Sequence, residues 1–204
     1  MTVPFLVRAD LRLVVVRLVV VRLAVVLALV ALPVLSGCGA SDGGHADVAF
    51  ATGMVPHHRQ AVQVSDLLLA KTGVDGDVRD LATRIRSEQA PEIEQLSGWL
   101  RDWGEPVPPG TPGAGMGGTG STGGMDMPGD GMMTPAELDA LTTASGAHAQ
   151  RLFLQEMIRH HTGAVAMART EQEQGRNAAA KRLASSIVSS QQAEIDQMDR
   201  LLTG

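Results

Sequence analysis

Four of the six histidines of this chain fall in two short stretches, MVPHHRQAV at Met54–Val62 and MIRHHTGAV at Met157–Val165. Each stretch sets a thioether three and four residues ahead of paired imidazoles. On a helix such positions share a face, with Met54 about 60° from His57 and about 40° from His58. Met157 stands likewise to His160 and His161. Imidazole and thioether together suit copper, above all Cu(I), and silver, whereas calcium and magnesium demand oxygen. Adjacent histidines on a helix point about 100° apart, so one pair does not chelate one ion with both rings. Several helices must converge, or two sites must form. The plain alternative is packing, because an inward histidine is ordinarily a hydrogen-bonded core residue and a methionine at helical spacing ordinarily fills a core. Recurrence of the whole unit favours ligands, since Leu or Ala would satisfy packing alone.

Helices must carry these residues. Apolar positions Val48, Met54, Ala61, Val62, Leu68 and Leu69 recur at helical spacing up to Ala70. Lys71–Asp77, with Gly73 and Gly76, reads as a turn between antiparallel helices. A second helix is expected from Val78 to Trp103, with Gly104 as its cap and Pro106 beyond. At Thr134–Glu137 a capping Thr, a Pro at the first helical position and a Glu at the third start a short helix ending near Gly146. A long helix over 147–174 follows, then a last one capped by Asn177 and reaching Leu202. Pro56 removes a hydrogen bond and collides with the Thr52 carbonyl, so the first helix should bend or begin there and set the two histidine pairs at different depths.

The halves correspond well beyond the histidines. LATRI (Leu81–Ile85) matches LASSI (Leu183–Ile187), and SEQAPEIEQL (Ser87–Leu96) matches SSQQAEIDQM (Ser189–Met198). A duplicated helical hairpin gives an all-α four-helix bundle, with hairpins at 47–104 and 134–204 forming one domain. The second helix of each hairpin offers Gln89 with Glu92, or Gln191 with Glu194. Glu92 and Glu194 are secondary candidate ligands, with a register-fixing polar layer as the alternative. Met167, in line with His160, is another.

Residues 105–133 are different material, rich in Gly, Pro, Ser and Thr and without periodicity. They are expected to be a flexible linker with no part in the core. The linker nevertheless holds Met116, Met125, Met127, Met132 and Met133. Thioethers on a flexible chain can wrap Cu(I); compositional drift explains them equally well.

The first 37 residues carry Arg8, Arg12, Arg17 and Arg22, then an apolar run over Leu23–Leu35, the order of a secretory signal. That run is short for a bilayer span. LSGC (Leu35–Cys38) resembles a bacterial lipobox, which would make Cys38 a lipidation site and residues 38–46 a tether. The expected location is the outer face of the bacterial cytoplasmic membrane, or the periplasm as a lipoprotein. Cys38 is the single cysteine, so no internal disulfide forms. Setting aside Arg8, Arg12, Arg17, Arg22 and Asp10 leaves 13 basic against 21 acidic side chains, a poor match for nucleic acid. With three Phe, two Trp and no Tyr, the core must be aliphatic.

The repeated M-x-x-H-H-x-x-A helix, followed by a helix with Q-x-x-E-I, resembles the bacterial family called domain of unknown function 305. The resemblance covers roughly 48–103 and 147–202. It implies an exported, ferritin-like bundle, with copper or silver binding and copper tolerance in some members. It also implies that Met54, His57, His58, Met157, His160 and His161 are the counterparts of the family motif; Pro56 departs from the pattern. The expected function is extracytoplasmic copper sequestration or tolerance. Two rivals remain open: a metal-free surface bundle that binds a protein partner, and a di-iron oxidase. The oxidase would ordinarily use E-x-x-H on paired helices, and no E-x-x-H occurs in the chain. No enzyme activity is expected. Labelling cells with a fatty-acid analogue tests the anchor: Cys38→Ala should abolish label incorporation, and equal labelling of both proteins would exclude a lipid at this residue.

Overall fold

The structure is a computed structural model and describes residues 43–109 and 131–204. Cys38, Met116, Met125 and Met127 lie outside those residues, as do the signal segment and most of the tether. Among the described residues all regular structure is helical. Helix α1 spans His45–Leu69, α2 Gly76–Asp102, the short α3 Pro135–Thr143, α4 Gly146–Gln174 and α5 Ala178–Thr203. None of them is long and apolar enough to cross a membrane.

The boundaries have local causes. Asp47 Oδ2 accepts the Gly44 N–H at 2.6 Å and so closes the first turn of α1. At the end of α2, Gly104 takes φ +75°, which lets the Glu105 N–H return to the Leu100 carbonyl at 2.8 Å. Thr134 and Glu137 form the expected reciprocal cap of α3, and Asn177 Oδ1 accepts from the Ala179 and Ala180 amides to start α5. Pro56 neither starts nor stops α1, which is helical from His45 onward.

Four long helices enclose two apolar clusters. The upper one contains Phe50, Met54, Leu96, Leu100, Ala164, Ala168, Leu183 and Ile187. The lower one contains Val64, Leu68, Leu81, Ile85, Phe153, Met157, Ile195 and Met198. Reading residue numbers through the clusters gives the topology. Helix α1 runs from upper to lower, α2 returns, α4 also runs from lower to upper, and α5 descends. The hairpins are therefore connected from the upper end of α2 to the lower end of α4, the ferritin-like arrangement.

That crossover is seated at both ends, which corrects the expectation that 105–133 adds nothing to the core. Val107 packs on the upper cluster, and Arg59 donates to the Pro108 carbonyl. At the other end Met133 is buried in the lower cluster, and Gln60 grips its backbone twice: Nε2 donates to the Met133 carbonyl at 2.9 Å, and the Met133 N–H donates to Oε1 at 2.7 Å. Gly131 crosses the α4 backbone so closely that a Cβ would lie 2.3 Å from the Arg159 carbonyl oxygen. Composition concealed this, because a single buried Met in a Gly-rich stretch has no periodicity.

A second long-range tie involves buried acids. Asp47 accepts from the backbone N–H groups of Arg176 at 3.0 Å and Asn177 at 2.8 Å, fastening α1 to the α4–α5 turn. Burial alone would raise the Asp47 pKa, but these donations, with help from Glu171 and Gly44, hold it below the usual value. Glu171 lies beside it, and neither of its oxygens receives a hydrogen bond. Burial, and then the adjoining Asp47, push Glu171 up to about 8, so at neutral pH it keeps a proton and shares it with Asp47.

Two outcomes follow for stability. A folded pKa above the unfolded one favours the fold below about 4.5 and loses that advantage as pH rises through about 8. Thermal unfolding should therefore show the wild-type Tm falling between pH 5 and pH 8.5 relative to Glu171→Gln, whose amide stays neutral. Parallel pH profiles would contradict the shared proton. Met133→Ala should cost about 2–5 kcal/mol in urea unfolding if its thioether fills the lower cluster. A loss well under about 1 kcal/mol would place this residue outside the core.

Candidate metal centre

The paired histidines lie between the two apolar clusters, at the middle of α1 and of α4. Both rings of each pair are buried: His57 keeps 1% of its surface and His58, His160 and His161 none. The expected difference in depth between the copies is therefore absent. Arg159, which stands where the first copy has Pro56, does something else. Its guanidinium forks onto Glu137 at 2.6 and 2.7 Å and holds α3 against α4. The Glu137 pKa drops to about 2 as a result.

The angle of about 100° between neighbouring side chains on a helix divides each pair. His57 and His160 turn toward each other across the hairpins, with ring centroids 3.6 Å apart and planes tilted by 36°. His58 and His161 turn to the second helix of their own hairpin. There His58 Nε2 meets Glu92 Oε2 and His161 Nε2 meets Glu194 Oε2, each at 2.7 Å. Within a pair the rings stay 6.4 and 6.1 Å apart. The approximate symmetry of the sequence thus becomes a symmetric polar layer: a central imidazole pair flanked by two Glu–His dyads.

Burial, then the neighbouring His57, His161 and His58, push His160 well below the ordinary histidine pKa. It is neutral at physiological pH, and protons compete for it only below the usual histidine range. Both ring nitrogens of His160 lack a hydrogen-bond partner, as do Nδ1 of His58 and Nδ1 of His161. Gln89 and Gln191 are buried in the same layer, with both polar side-chain atoms of Gln89 and Oε1 of Gln191 likewise unpartnered. Buried polar groups are normally satisfied. A cluster of bare imidazole nitrogens with neighbouring thioethers fits a soft cation better than it fits a hydrogen-bonded core.

The other candidates separate in space. Met54 belongs to the upper cluster and Met157 to the lower, so the thioethers approach the histidines from opposite sides. Met167 packs on the upper cluster, two helical turns or about 10 Å along α4 from His160, with its sulfur beside Gly53. Met133 is core, and Met132 is half-buried beside it. Among the described residues no three His, Cys, Asp or Glu side chains converge as a metal-binding group. Any closed site must draw on the methionines or on movement of the rings.

Sequence reasoning missed Arg84. From α2 it reaches across to α5, where its Nε lies 3.5 Å from Glu194 Oε1 and its guanidinium also donates to Gln197. The repeat alignment held the one signal, since Arg84 corresponds to Ser186 inside an otherwise matched block. Gln60 was missed for the same reason, with Gly163 as its counterpart.

The family model described as "Domain of unknown function (DUF305)" matches residues 47–202. No protein with curated annotation matches. Among solved structures, a DUF305 fragment from Deinococcus radiodurans is 32% identical over 79% of this chain and 97% of its own, with a TM-score of 0.67. A putative secreted DUF305 protein from Streptomyces coelicolor is 35% identical over 78% of this chain and 92% of its own, at 0.66. CopM in its Cu(I)-bound form is 29% identical over 77% of this chain and 95% of its own, at 0.61. CopM structures similar to this chain also include Cu(II)-bound, silver-bound and apo forms. With a family match spanning both hairpins, the chain belongs to the DUF305 family.

Proposed function

We propose that this protein binds copper, and silver as a chemical analogue, outside the cytoplasm, and sequesters the metal at a membrane surface to which Cys38 anchors it by lipid. The observation that carries the reading is the layer of four buried imidazoles, three of them with a ring nitrogen that has no hydrogen-bond partner, with Met54 and Met157 above and below. The likeness to CopM, whose structures hold Cu(I), Cu(II) and silver, supports the choice of metal. The secreted relative supports export. In this reading His57, His58, His160 and His161 supply nitrogen, Met54 and Met157 supply sulfur, and the protein binds its cargo without transforming it. A di-iron oxidase would need several carboxylates to converge, and Glu92 and Glu194 are each held on a histidine instead.

Replacing His57, His58, His160 and His161 together by Gln tests the reading. Competition titration with a Cu(I) chelator should show affinity reduced by more than the roughly 10- to 100-fold that losing an outer-shell partner costs. Circular dichroism should stay helical. Replacing Met116, Met125 and Met127 should leave the tight sites untouched and lower only weak Cu(I) capacity. A four-histidine variant that binds the same amount of copper with the same affinity would make the histidines core residues and overturn the proposal.

A further inference from the structure

We propose that Glu92 and Glu194 shape metal binding without touching the metal: each fixes its histidine in the Nε2–H tautomer, so that Nδ1 of His58 and Nδ1 of His161 are the ligand atoms. The inference rests on the copper-binding reading and assigns the atoms of that same site.

The geometry carries the argument. A neutral imidazole has one N–H and one lone pair, and the partner of one nitrogen decides the state of the other. An ionised carboxylate can only accept, so a 2.7 Å contact between Glu Oε2 and His Nε2 requires the proton on Nε2. The same two rings have Nδ1 buried and without any hydrogen-bond partner. Each dyad thus presents a bare, oriented lone pair inside the bundle. The carboxylate also raises the electron density of the ring and makes that nitrogen a better donor to a cation.

Glutamate is also the residue type that could ligate copper directly, and the structure separates the roles. In both copies the glutamate sits on the Nε2 side of the ring, and the bare nitrogen is Nδ1. In the second copy the other carboxylate oxygen, Glu194 Oε1, lies 3.5 Å from Arg84 Nε. A guanidinium at that distance draws the outer oxygen of Glu194 away from a cation. At the first dyad the position corresponding to Arg84 is Ser186 of α5, and Glu92 is more exposed than Glu194, at 17% against 5% of the side chain. The second dyad is therefore the more rigid, and Arg84 is its positioning residue.

The test begins with metal-free protein labelled with 15N-histidine. Long-range 1H–15N correlation spectra should show His58 and His161 as Nε2–H tautomers, and this wild-type spectrum is decisive even where a variant fails to fold. Titration with Cu(I) should then move the Nδ1 resonances of both rings. Glu92→Gln with Glu194→Gln preserves an oxygen acceptor and should keep both tautomers and Cu(I) affinity within a few fold. Glu92→Leu with Glu194→Leu should mix the tautomers and weaken Cu(I) binding roughly 10- to 100-fold. Arg84→Ala should broaden His161 and leave His58 unchanged. Nδ1–H tautomers in a wild-type protein that binds copper would overturn this inference alone. Loss of binding in the Gln variant equal to that in the Leu variant would also overturn it, by making the carboxylates ligands. Nε2–H tautomers in a protein that binds no copper would overturn the metal reading and leave the dyads as register pins.

Discussion

Burying four imidazoles at one level of an aliphatic bundle is the constraint around which the remaining structure is arranged. A buried polar atom with no partner costs about 1–3 kcal/mol, against a total stability of about 5–15 kcal/mol for a domain. Several such atoms at one level are tolerable only if much apolar surface is buried elsewhere. The fold supplies that surface above and below: Phe50, Leu96, Leu100 and Ile187 on one side, and Leu68, Leu81, Phe153 and Met198 on the other. The Glu dyads relieve one nitrogen on each of His58 and His161, and neutrality at His160 avoids burying a charge. The bare nitrogens that remain are those a ligand set requires.

Duplication explains the symmetry of the layer, and the single crossover explains where the symmetry fails. Two equivalent hairpins can pack face to face, but only one segment joins them, so it must be seated by residues unique to one copy. Gln60 grips the Met133 backbone where the second copy has Gly163, and Arg159 holds the short α3 where the first copy has Pro56. Asp47 and Glu171 form a third such tie, pairing the start of α1 with the turn after α4. Their counterparts, Gln150 and Leu68, could not reproduce it. Divergence between the halves is therefore concentrated at contacts that cross between elements, while the Met–His–His unit and the Gln and Glu opposite it are retained.

The same division sets what could be read from the sequence. Helix periodicity, caps at Thr134, Asn177 and Gly104, and the internal match located all four long helices and the face that carries the histidines. Those features are local or repeated, so a single chain displays them. Arg84, Met133 and the Asp47–Glu171 pair act across distant parts of the chain and occur once each, so neither periodicity nor repetition reveals them. Pro56 misled for a related reason. Its local cost was correctly anticipated, but packing on both sides of α1 holds the helix through it, and His57 and His58 reach the same depth as His160 and His161. Met132 and Met133 looked like linker thioethers, because composition cannot show that the chain is pinned by its backbone.

The chemistry of the layer bears on which ion the proposed function would favour. Burial penalises a charge roughly as its square, so a divalent cation is far costlier than a monovalent one in a site lined by neutral imidazole and thioether. Neutral His160 and the buried Met54 and Met157 therefore match Cu(I) or silver, both monovalent and soft. Glu92 and Glu194 stand one imidazole away from the bare nitrogens. Their negative charge lowers the cost of bringing a cation in, while the intervening ring keeps hard oxygen out of the ligand set. A direct carboxylate ligand would shift preference toward harder, divalent ions; a carboxylate held behind the imidazole keeps the soft character and still contributes field. In the proposed reading, the separation of ligand from counter-charge in the Glu–His dyads would let an aliphatic bundle hold a monovalent metal at its centre.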